Sequence, residues 1–184
     1  MIAPGPTPPD PADARPRADL ADHPLADRFN RLVPEEMLPA VERAGVRCTG
    51  RFAILNSYEN RVYQFDVEDG PAVVAKFYRP GRWSEAAIRE EHGFLSALRD
   101  ARVPVACPLP LDGEEGRTIG EAAGILFAVY PRVPGRVPQE LDDGQISILG
   151  GLLARMHSVG ARFEAPERPT LSPDPGRSRP AMSS

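Results

Sequence analysis

The sequence predicts an α+β fold in which a five-stranded antiparallel sheet packs against one long helix. Three observations indicate this fold: strand-like runs separated by short turn signals, an alternation with a period of two in one of them, and one helical pattern after the third run. Most of the 22 prolines among the 184 residues lie near the two ends. We therefore expect residues 1–33 and 166–184 to be disordered tails.

The first half of the folded region predicts one short helix and three strands. Residues 34–44 show a helical pattern with Pro34 in the first turn and Gly45 at the end, although the interior Pro39 conflicts with a regular helix. The three strand-like runs are residues 49–55, 61–67 and 72–78. Because short, turn-rich links separate these runs, we expect an antiparallel meander.

A long helix and two further strands are expected after the meander. Ser84 is a natural N-cap for this helix. The next strand-like runs are residues 117–121 and 124–130, and the second is nearly all apolar, which predicts a central strand. A linker over residues 131–138 leads to a last helix over residues 139–158.

Composition and charge exclude several classes of protein. The chain carries 26 acidic and 22 basic residues with a net charge of −4 and no basic block, so a nucleic-acid partner is not expected. No apolar stretch approaches the roughly 18 residues of a membrane span, and no export signal is present, so we expect a cytoplasmic protein without a membrane partner. Cys48 and Cys107 fit neither a metal site nor a disulfide framework.

Lys76 stands out because it is the one lysine among the 22 basic residues. It lies inside the apolar run 72–78. A lysine cannot be replaced by an arginine where a compact point charge must fit a narrow site. In the following helix, Glu91 falls in the middle of an apolar arc that includes Ile88 and Leu98, so its carboxylate is aimed at the sheet that carries Lys76. This arrangement predicts either a structural ion pair or a lysine held in position to bind phosphate. The alternatives are that Glu91 reaches solvent past the end of the helix and that Lys76 is a surface lysine left by chance on an edge strand.

Two further segments favour nucleotide binding. The polar link Asn56–Asn60 offers backbone N–H groups that can cover phosphates, with Ser57 and Asn60 as candidate contacts. The alternative for this link is a plain hairpin rich in turn formers. At the linker, the carbonyl of Pro131 and the N–H of Val133 could meet the edge of an adenine. Together with the lysine–glutamate pair, these segments predict a lobe that binds an adenine nucleotide.

Several sequence motifs resemble those of one kinase family. The longest is LNSYENRVYQF at residues 55–65, and VAKFYRPGRW at residues 74–83 and EEH at residues 90–92 follow it. Shorter similarities extend the match over about residues 34–171. On these motifs the chain resembles the bacterial stress-response kinases among the aminoglycoside-phosphotransferase-like kinases.

The resemblance implies a protein-kinase-like N-lobe that binds ATP over residues 34–134, and the linker and first helix of a C-lobe over residues 135–165. It implies an ATP-dependent serine/threonine protein kinase that uses Mg²⁺, is cytoplasmic and is monomeric, with an unknown protein substrate. Carried over by position, Ser57 would contact an ATP phosphate, Lys76 would bind the α- and β-phosphates, and Glu91 would orient Lys76.

The sequence departs from this family in one respect. Such kinases have a His-Gly-Asp-type loop that supplies the catalytic aspartate and metal ligands, and this sequence has no such motif. We therefore expect a truncation before that loop, no catalytic residue or metal ligand in this chain, and no kinase activity from the isolated chain. His157, near the end of the last helix, is expected to be a packed structural residue. The alternatives are a non-catalytic nucleotide-binding or regulatory fragment, and a fragment of a small-molecule kinase for an aminoglycoside or a choline-type substrate.

Overall fold

The computed structural model describes residues 23–135 and 138–169 of the chain. The helices are α1 (Ala26–Asn30), α2 (Pro34–Glu42), α3 (Glu85–Asp100) and α4 (Asp143–Gly160). The strands are β1 (Cys48–Leu55), β2 (Arg61–Val67), β3 (Val73–Phe77), β4 (Gly120–Ala122) and β5 (Ile125–Pro131). The order of these elements agrees with the prediction from the sequence, with the exception of α1, which the sequence analysis does not predict.

The five strands form one sheet with the order β1-β2-β3-β5-β4, and every neighbouring pair is antiparallel. The predicted α+β fold is therefore confirmed. Val62, Lys76 and Ala128 are register partners on adjacent strands, so they share one face, which we call the site face. Ala75 and Phe77 alternate to the opposite face, which we call the core face.

The core face is covered by α1, α2 and the loop before β4. These segments contribute Phe29, Met37, Val41 and Leu111 to one buried apolar cluster. The strands contribute the remaining large members of the same cluster, which are Tyr63, Phe65, Val73, Phe77, Ile125, Phe127 and Val129. Removing this much apolar surface from water is the main force that holds the sheet and the first two helices together.

The expectation of a disordered tail over residues 1–33 is wrong for its final part, while residues 1–22 lie outside the described residues. Phe29 and Leu32 expose only 6% and 8% of their surface. The guanidinium of Arg61 lies 5.7 Å from the centre of the Phe29 ring. Phe29 lies in α1 and Leu32 follows the end of this helix, and the burial of both side chains in the core cluster anchors α1 on the core face.

Helix α2 continues through Pro39, the residue that conflicted with its prediction. Met37, Ala40 and Val41 are buried, whereas Pro39 lies on the exposed side of the helix. Burial of the opposite side therefore outweighs the backbone hydrogen bond that proline cannot donate.

Helix α3 packs on the site face. Ser84 caps it, because its hydroxyl oxygen accepts a hydrogen bond of 3.0 Å from the N–H of Ala87. Ile88 then joins Tyr78 and Ala128 in a second buried cluster. This packing directs the buried side of α3 towards β3 and β5, as the helical pattern predicts.

Helix α4 begins at Asp143, four residues after the predicted start at residue 139. Its N-terminus is fixed by a capping box. The Asp142 carboxylate accepts a hydrogen bond of 2.8 Å from the N–H of Gln145. In return, the Gln145 side-chain oxygen accepts a hydrogen bond of 3.1 Å from the N–H of Asp142. This polar cap explains the later start.

No residue of α4 is buried. Ile146 exposes 54% of its surface, and Leu149 and Leu153 each expose 45%. His157 is also exposed, so the prediction of a packed histidine is wrong for the described part of the chain, where nothing covers that side of the helix. None of the helices in residues 23–135 and 138–169 is long and apolar enough to cross a membrane.

Gly120 on β4 gives a direct test of the packing on the core face. A Cβ atom at this position would lie 2.6 Å from the Phe127 ring and 2.9 Å from Leu111, and both side chains are fully buried. We expect Gly120→Ala to lower the free energy of unfolding in urea by about 1–3 kcal/mol, because the core must shift. The control is Gly150→Ala on exposed α4, where an added Cβ meets nothing within 4 Å. This control should leave the stability unchanged or raise it by up to about 1 kcal/mol, and a Gly120→Ala variant as stable as wild type would contradict the packing.

Candidate nucleotide-binding site

Lys76 and Glu91 form an ion pair between the sheet and helix α3. The Nζ atom of Lys76 lies 2.8 Å from Oε1 of Glu91. Both side chains are mostly buried, with 23% and 22% of their surface exposed. The ammonium also lies 4.5 Å from the centre of the Tyr78 ring, which offers it a second attractive contact. The contact expected from the helical phase of α3 is therefore present.

A second cation contacts the same carboxylate. The Nη1 atom of Arg168 lies 3.1 Å from Oε2 of Glu91, and its guanidinium lies 4.5 Å from the centre of the Trp83 ring. The backbone N–H of Glu167 donates to both carboxylate oxygens of Glu90, each at 3.1 Å. The expectation of a disordered tail is therefore wrong for residues 166–169, and residues 170–184 lie outside the described part.

The charge state of Glu91 follows from these neighbours. Burial alone would raise the pKa of Glu91, because a carboxylate loses hydration. The hydrogen bond and charge of Lys76 outweigh burial, with further help from Arg168 and His92, and the pKa of Glu91 falls below its ordinary value. Glu91 is therefore ionised at neutral pH and holds the ammonium as a charge-assisted partner.

A hydrogen-bonded cluster lies next to this ion pair. His92 Nδ1 lies 2.7 Å from the Thr118 hydroxyl, and His92 Nε2 lies 3.1 Å from the Tyr130 hydroxyl and 3.3 Å from that of Tyr78. The two tyrosine hydroxyls are 3.1 Å apart. Burial raises the pKa values of both tyrosines and lowers the pKa of His92 to about 4, so all three are neutral at pH 7.

Beside Lys76, the site face offers a partly open apolar surface. Leu55, Val62 and Val74 lie on adjacent strands and are half-buried. The Gln64 side-chain oxygen accepts a hydrogen bond of 2.8 Å from Nε of Arg132, which ties β2 to the segment after β5. A flat aromatic ring could pack on such a surface, next to a charged lysine.

The loop between β1 and β2 carries the predicted residues Ser57 and Asn60. Both line a cavity of about 280 Å³ that reaches from Val62 of the site face to Phe29 of α1 and Tyr63 of the core face. The Asn60 side-chain oxygen accepts a hydrogen bond of 3.2 Å from the N–H of Arg79, so Asn60 ties the loop to the chain after β3. Ser57 is exposed. The nucleotide contacts of both residues remain predictions.

The remaining predicted residues lie at the end of β5. Pro131 pairs with Val73 in the sheet, and the N–H of Arg132 donates to the Ala72 carbonyl at 3.2 Å. Val133 follows and exposes 68% of its surface. The structure thus joins the predicted lysine and glutamate directly, and it leaves the loop residues and the linker residues as two separate groups.

Residues 23–135 and 138–169 contain no group of three or more His, Cys, Asp or Glu side chains that could hold a metal ion. We therefore assign no Mg²⁺ ligand to this part of the chain. That the metal ligands belong to the C-lobe beyond this chain remains a prediction.

Three features of the site are not predicted from the sequence: the apolar surface, Arg168, and the cluster around His92. A signal exists for His92, because it follows Ile88 by four residues and therefore shares the buried side of α3. Arg168 carries no local signal, since its contact with Glu91 spans 77 positions of the sequence.

Comparison with known proteins defines the class of this chain. The sequence pattern of the phosphotransferase enzyme family (APH) matches residues 52–183. The chain therefore belongs to this family, and kinase-type phosphotransfer is the chemistry of its class. The family resemblance inferred from the motifs is confirmed.

Two curated relatives are similar in sequence. Stress response kinase A of Escherichia coli strain K12 is 41% identical over 143 residues, which cover 78% of this chain and 43% of the relative. The serine/threonine protein kinase RdoA of Salmonella typhimurium is 41% identical over 143 residues, with the same coverage of 78% and 43%. The chain thus spans less than half the length of the relatives it matches.

Solved structures confirm the fold. The amicoumacin kinase hAmiN superposes with a TM-score of 0.58 at 21% identity, covering 76% of this chain and 43% of that protein. Spectinomycin phosphotransferase APH(9)-Ia superposes with a TM-score of 0.54 at 15% identity, covering 68% of this chain and 37% of that protein. At these identities the likeness shows a shared kinase-like architecture.

The buried His92 predicts a dependence of stability on pH. Its pKa is about 4 in the folded protein, whereas an unfolded chain has the ordinary value of about 6.5. Between these values the unfolded state binds more protons, so the contribution of neutral His92 is complete above pH 6.5 and is lost as the pH falls towards 4. Between pH 7 and pH 4 the free energy of unfolding should fall in both wild type and His92→Gln. The fall should be larger in wild type, by up to about 3 kcal/mol.

Urea unfolding at several pH values measures this difference. The control is His157→Gln, since His157 is exposed, and this variant should follow the wild-type curve. A His92→Gln variant that loses stability in parallel with wild type over the same pH range would show that His92 is not held neutral.

Proposed function

We propose that this chain is the nucleotide-binding part of a protein kinase that transfers the γ-phosphate of ATP to serine and threonine side chains. The observation that carries the proposal is the ion pair of 2.8 Å between Lys76 and Glu91 on the site face. The sequence relatives support it, because they are named as a stress response kinase and a serine/threonine protein kinase. The proposal includes a cytoplasmic, monomeric kinase, as the family resemblance implies.

Lys76 is the proposed phosphate-binding residue. A lysine ammonium is a compact charge on a flexible stem, and a neighbouring carboxylate restricts that stem to a narrow range of positions. Glu91 performs this function from helix α3, and the Tyr78 ring limits movement on another side. Phosphoryl transfer depends on such fixed charges, because they stabilise negative charge on the phosphate oxygens at no cost in reorganisation.

The adenine is proposed to bind on the apolar surface of Leu55, Val62 and Val74. Its polar edge would meet the segment after β5, where the Pro131 carbonyl is an acceptor and the Val133 N–H is a donor. The sheet pairing of Pro131 and the hydrogen bond from the Arg132 N–H fix the start of this segment. A backbone edge of this kind can discriminate adenine from other bases without any charged side chain.

The β1–β2 loop is proposed to cover the phosphates. Ser57 would donate its hydroxyl to a phosphate oxygen, together with backbone N–H groups of the loop. Asn60 contributes by anchoring the loop to Arg79, and the Arg82–Glu59 ion pair of 3.4 Å anchors it a second time. These two tethers limit how far the loop can move away from the site face.

The proposal takes Mg²⁺ as the companion of ATP. The amicoumacin kinase hAmiN was solved with AMP-PNP and Ca²⁺, which supports a nucleotide with a divalent cation in this fold. The metal would screen the phosphate charges when bound. Its ligands and the catalytic aspartate are proposed to belong to the part of the kinase that the described residues do not include.

A small-molecule kinase is the second candidate. The superposed structures include an amicoumacin kinase, a spectinomycin phosphotransferase and an aminopropanol kinase, and these names favour amino alcohols or aminoglycosides as acceptors. Sequence identity favours the protein kinase, because it is 41% with the stress response kinase and 21% with the amicoumacin kinase. Both candidates use the same ATP site.

Nucleotide binding by the isolated chain is the first test. Titration calorimetry with ADP should detect binding, and Lys76→Ala should weaken it by at least about tenfold, because a charge-assisted hydrogen bond to a phosphate oxygen is lost. The control is Arg89→Ala, which removes another cation from α3 but one that pairs with Glu85 on the exposed side. Equal affinities for wild type and Lys76→Ala would contradict the proposed role of Lys76.

Phosphotransfer is the second test. We would join this chain, up to residue 171, to the remaining part of Escherichia coli stress response kinase A and supply γ-labelled ATP with a protein acceptor. The chimera should label serine or threonine, and Lys76→Ala should reduce the rate about 100-fold or more. A folded chimera that binds ADP but transfers no phosphate would contradict the proposal. Labelling of an aminoglycoside or aminopropanol in place of protein would favour the second candidate.

A further inference from the structure

The segment after α4, residues 161–169, returns across helix α3, and we call it the strap. Its Phe163 ring packs on the Phe94 ring of α3 with a centroid distance of 5.2 Å. Its Glu167 N–H donates to both oxygens of the Glu90 carboxylate. The strap therefore contacts α3 at two points before it reaches the ion pair.

Arg168 is the third contact of the strap and the one that reaches the site. Its Nη1 atom is 3.1 Å from Oε2 of Glu91, and Oε1 of the same carboxylate is 2.8 Å from Lys76. Its guanidinium lies 4.5 Å from the Trp83 ring centre, and 33% of its side chain is exposed. Each oxygen of Glu91 thus has its own cation, and the arginine is itself held by an aromatic ring.

We propose that Arg168 is a positioning residue that orients Glu91 and, through it, Lys76. The inference rests on the proposed function, because it assigns the positioned lysine to a nucleotide. It names a residue far along the chain as part of the ion pair that serves the site.

Arg168 restricts rotation of the Glu91 carboxylate. The terminal torsion of a glutamate is broad, so a carboxylate with a single cation can present either oxygen or tilt away from the optimum. A second cation on the other oxygen removes this freedom, since rotation would break two charge-assisted contacts at once. Stacking on Trp83 restricts Arg168 in turn.

The charges that face Glu91 determine how this role can be tested. Lys76 faces it from β3, Arg168 from the strap and His92 from its own helix, and the phenols of Tyr78 and Tyr130 lie nearby. Burial raises the pKa of Glu91, and the two cations, with His92 where its ring is protonated, lower it below its ordinary value. Removal of the Arg168 charge should therefore raise the pKa of Glu91. As the pH is lowered, the variant should then lose nucleotide binding at a higher pH than wild type does, because Glu91 is protonated earlier.

A matched pair of variants separates charge from packing. Arg168→Met keeps an unbranched apolar stem over Trp83 and removes the cation, whereas Arg168→Lys keeps the cation. ADP affinity of the 184-residue chain is measured by calorimetry from about pH 3.5 to 8, a range that extends below the ordinary pKa of a glutamate, about 4.3. We expect Arg168→Met to weaken ADP binding about fivefold at pH 7.5. This factor corresponds to the upper end of the range measured for partly exposed ion pairs. The acidic midpoint of its binding curve should also move to higher pH, and Arg168→Lys should restore both values towards wild type.

Arg162→Met is the control, because Arg162 lies in the same strap and lines a cavity whose lining does not include Glu91 or Lys76. It should bind ADP as wild type does. The circular dichroism spectrum shows whether Arg168→Met folds as wild type does. If it does not, Arg168→Gln is tested instead, with the same expected results.

The outcomes distinguish this inference from the proposed function. Failure of the wild-type chain to bind ADP would overturn the proposed function and the role of Arg168 with it. Binding that depends on Lys76 but has the same affinity and the same acidic midpoint in Arg168→Met would overturn the inference alone. Weaker binding in Arg168→Met with an unchanged midpoint, and no recovery in Arg168→Lys, would assign Arg168 to packing and would also overturn it.

Discussion

The contact of Lys76 with Glu91 is the interaction on which the site depends, because it joins the sheet to helix α3 through two charges. Both groups are mostly removed from water, so each would be costly without the other. A pair of this kind gives little net stability compared with apolar packing. Its physical consequence is geometric: α3 and β3 cannot separate or slide without exposing a charge to an apolar surface. The fold therefore fixes the direction of one ammonium, which is the property that a phosphate site requires.

The neighbouring hydrogen-bonded cluster acts on the same helix one residue further along. His92 follows Glu91 directly, and its two ring nitrogens contact hydroxyls from Thr118, Tyr78 and Tyr130. Those residues come from three different segments, so the middle of α3 is tied to each of them at once. All members of the cluster are neutral at pH 7, so they determine the rotation of α3 without competing with Lys76 for the charge of Glu91.

How much could be predicted from the sequence is best seen in individual residues. Lys76 and Glu91 were accessible, because a single lysine in an apolar strand and a carboxylate inside an apolar helical arc are local signals with a clear geometric meaning. The burial of Phe29 could not be predicted. A five-residue helix among prolines and charged residues has too few apolar side chains to change the composition of its segment. His157 was expected to be packed from its place in a motif, but burial depends on what covers a helix, and that is a property of the whole fold. Arg168 illustrates the same limit, because only the return of the chain across α3 brings it to Glu91.

Helix α4 and the strap differ in how they relate to the rest of the molecule. The sheet, α1 and α2 share one large apolar core, so their stability does not depend on α4, which buries none of its residues. The strap adds an aromatic contact, one backbone donor and one guanidinium to α3, together with the hydrogen bond of 3.2 Å from Arg155 of α4 to the Arg102 carbonyl. These are weak contributions to folding, yet one of them reaches the carboxylate that holds the lysine. The stability of the lobe and the geometry of its site therefore have different origins: the first comes from apolar burial on the core face, and the second is completed by a segment that the core does not need.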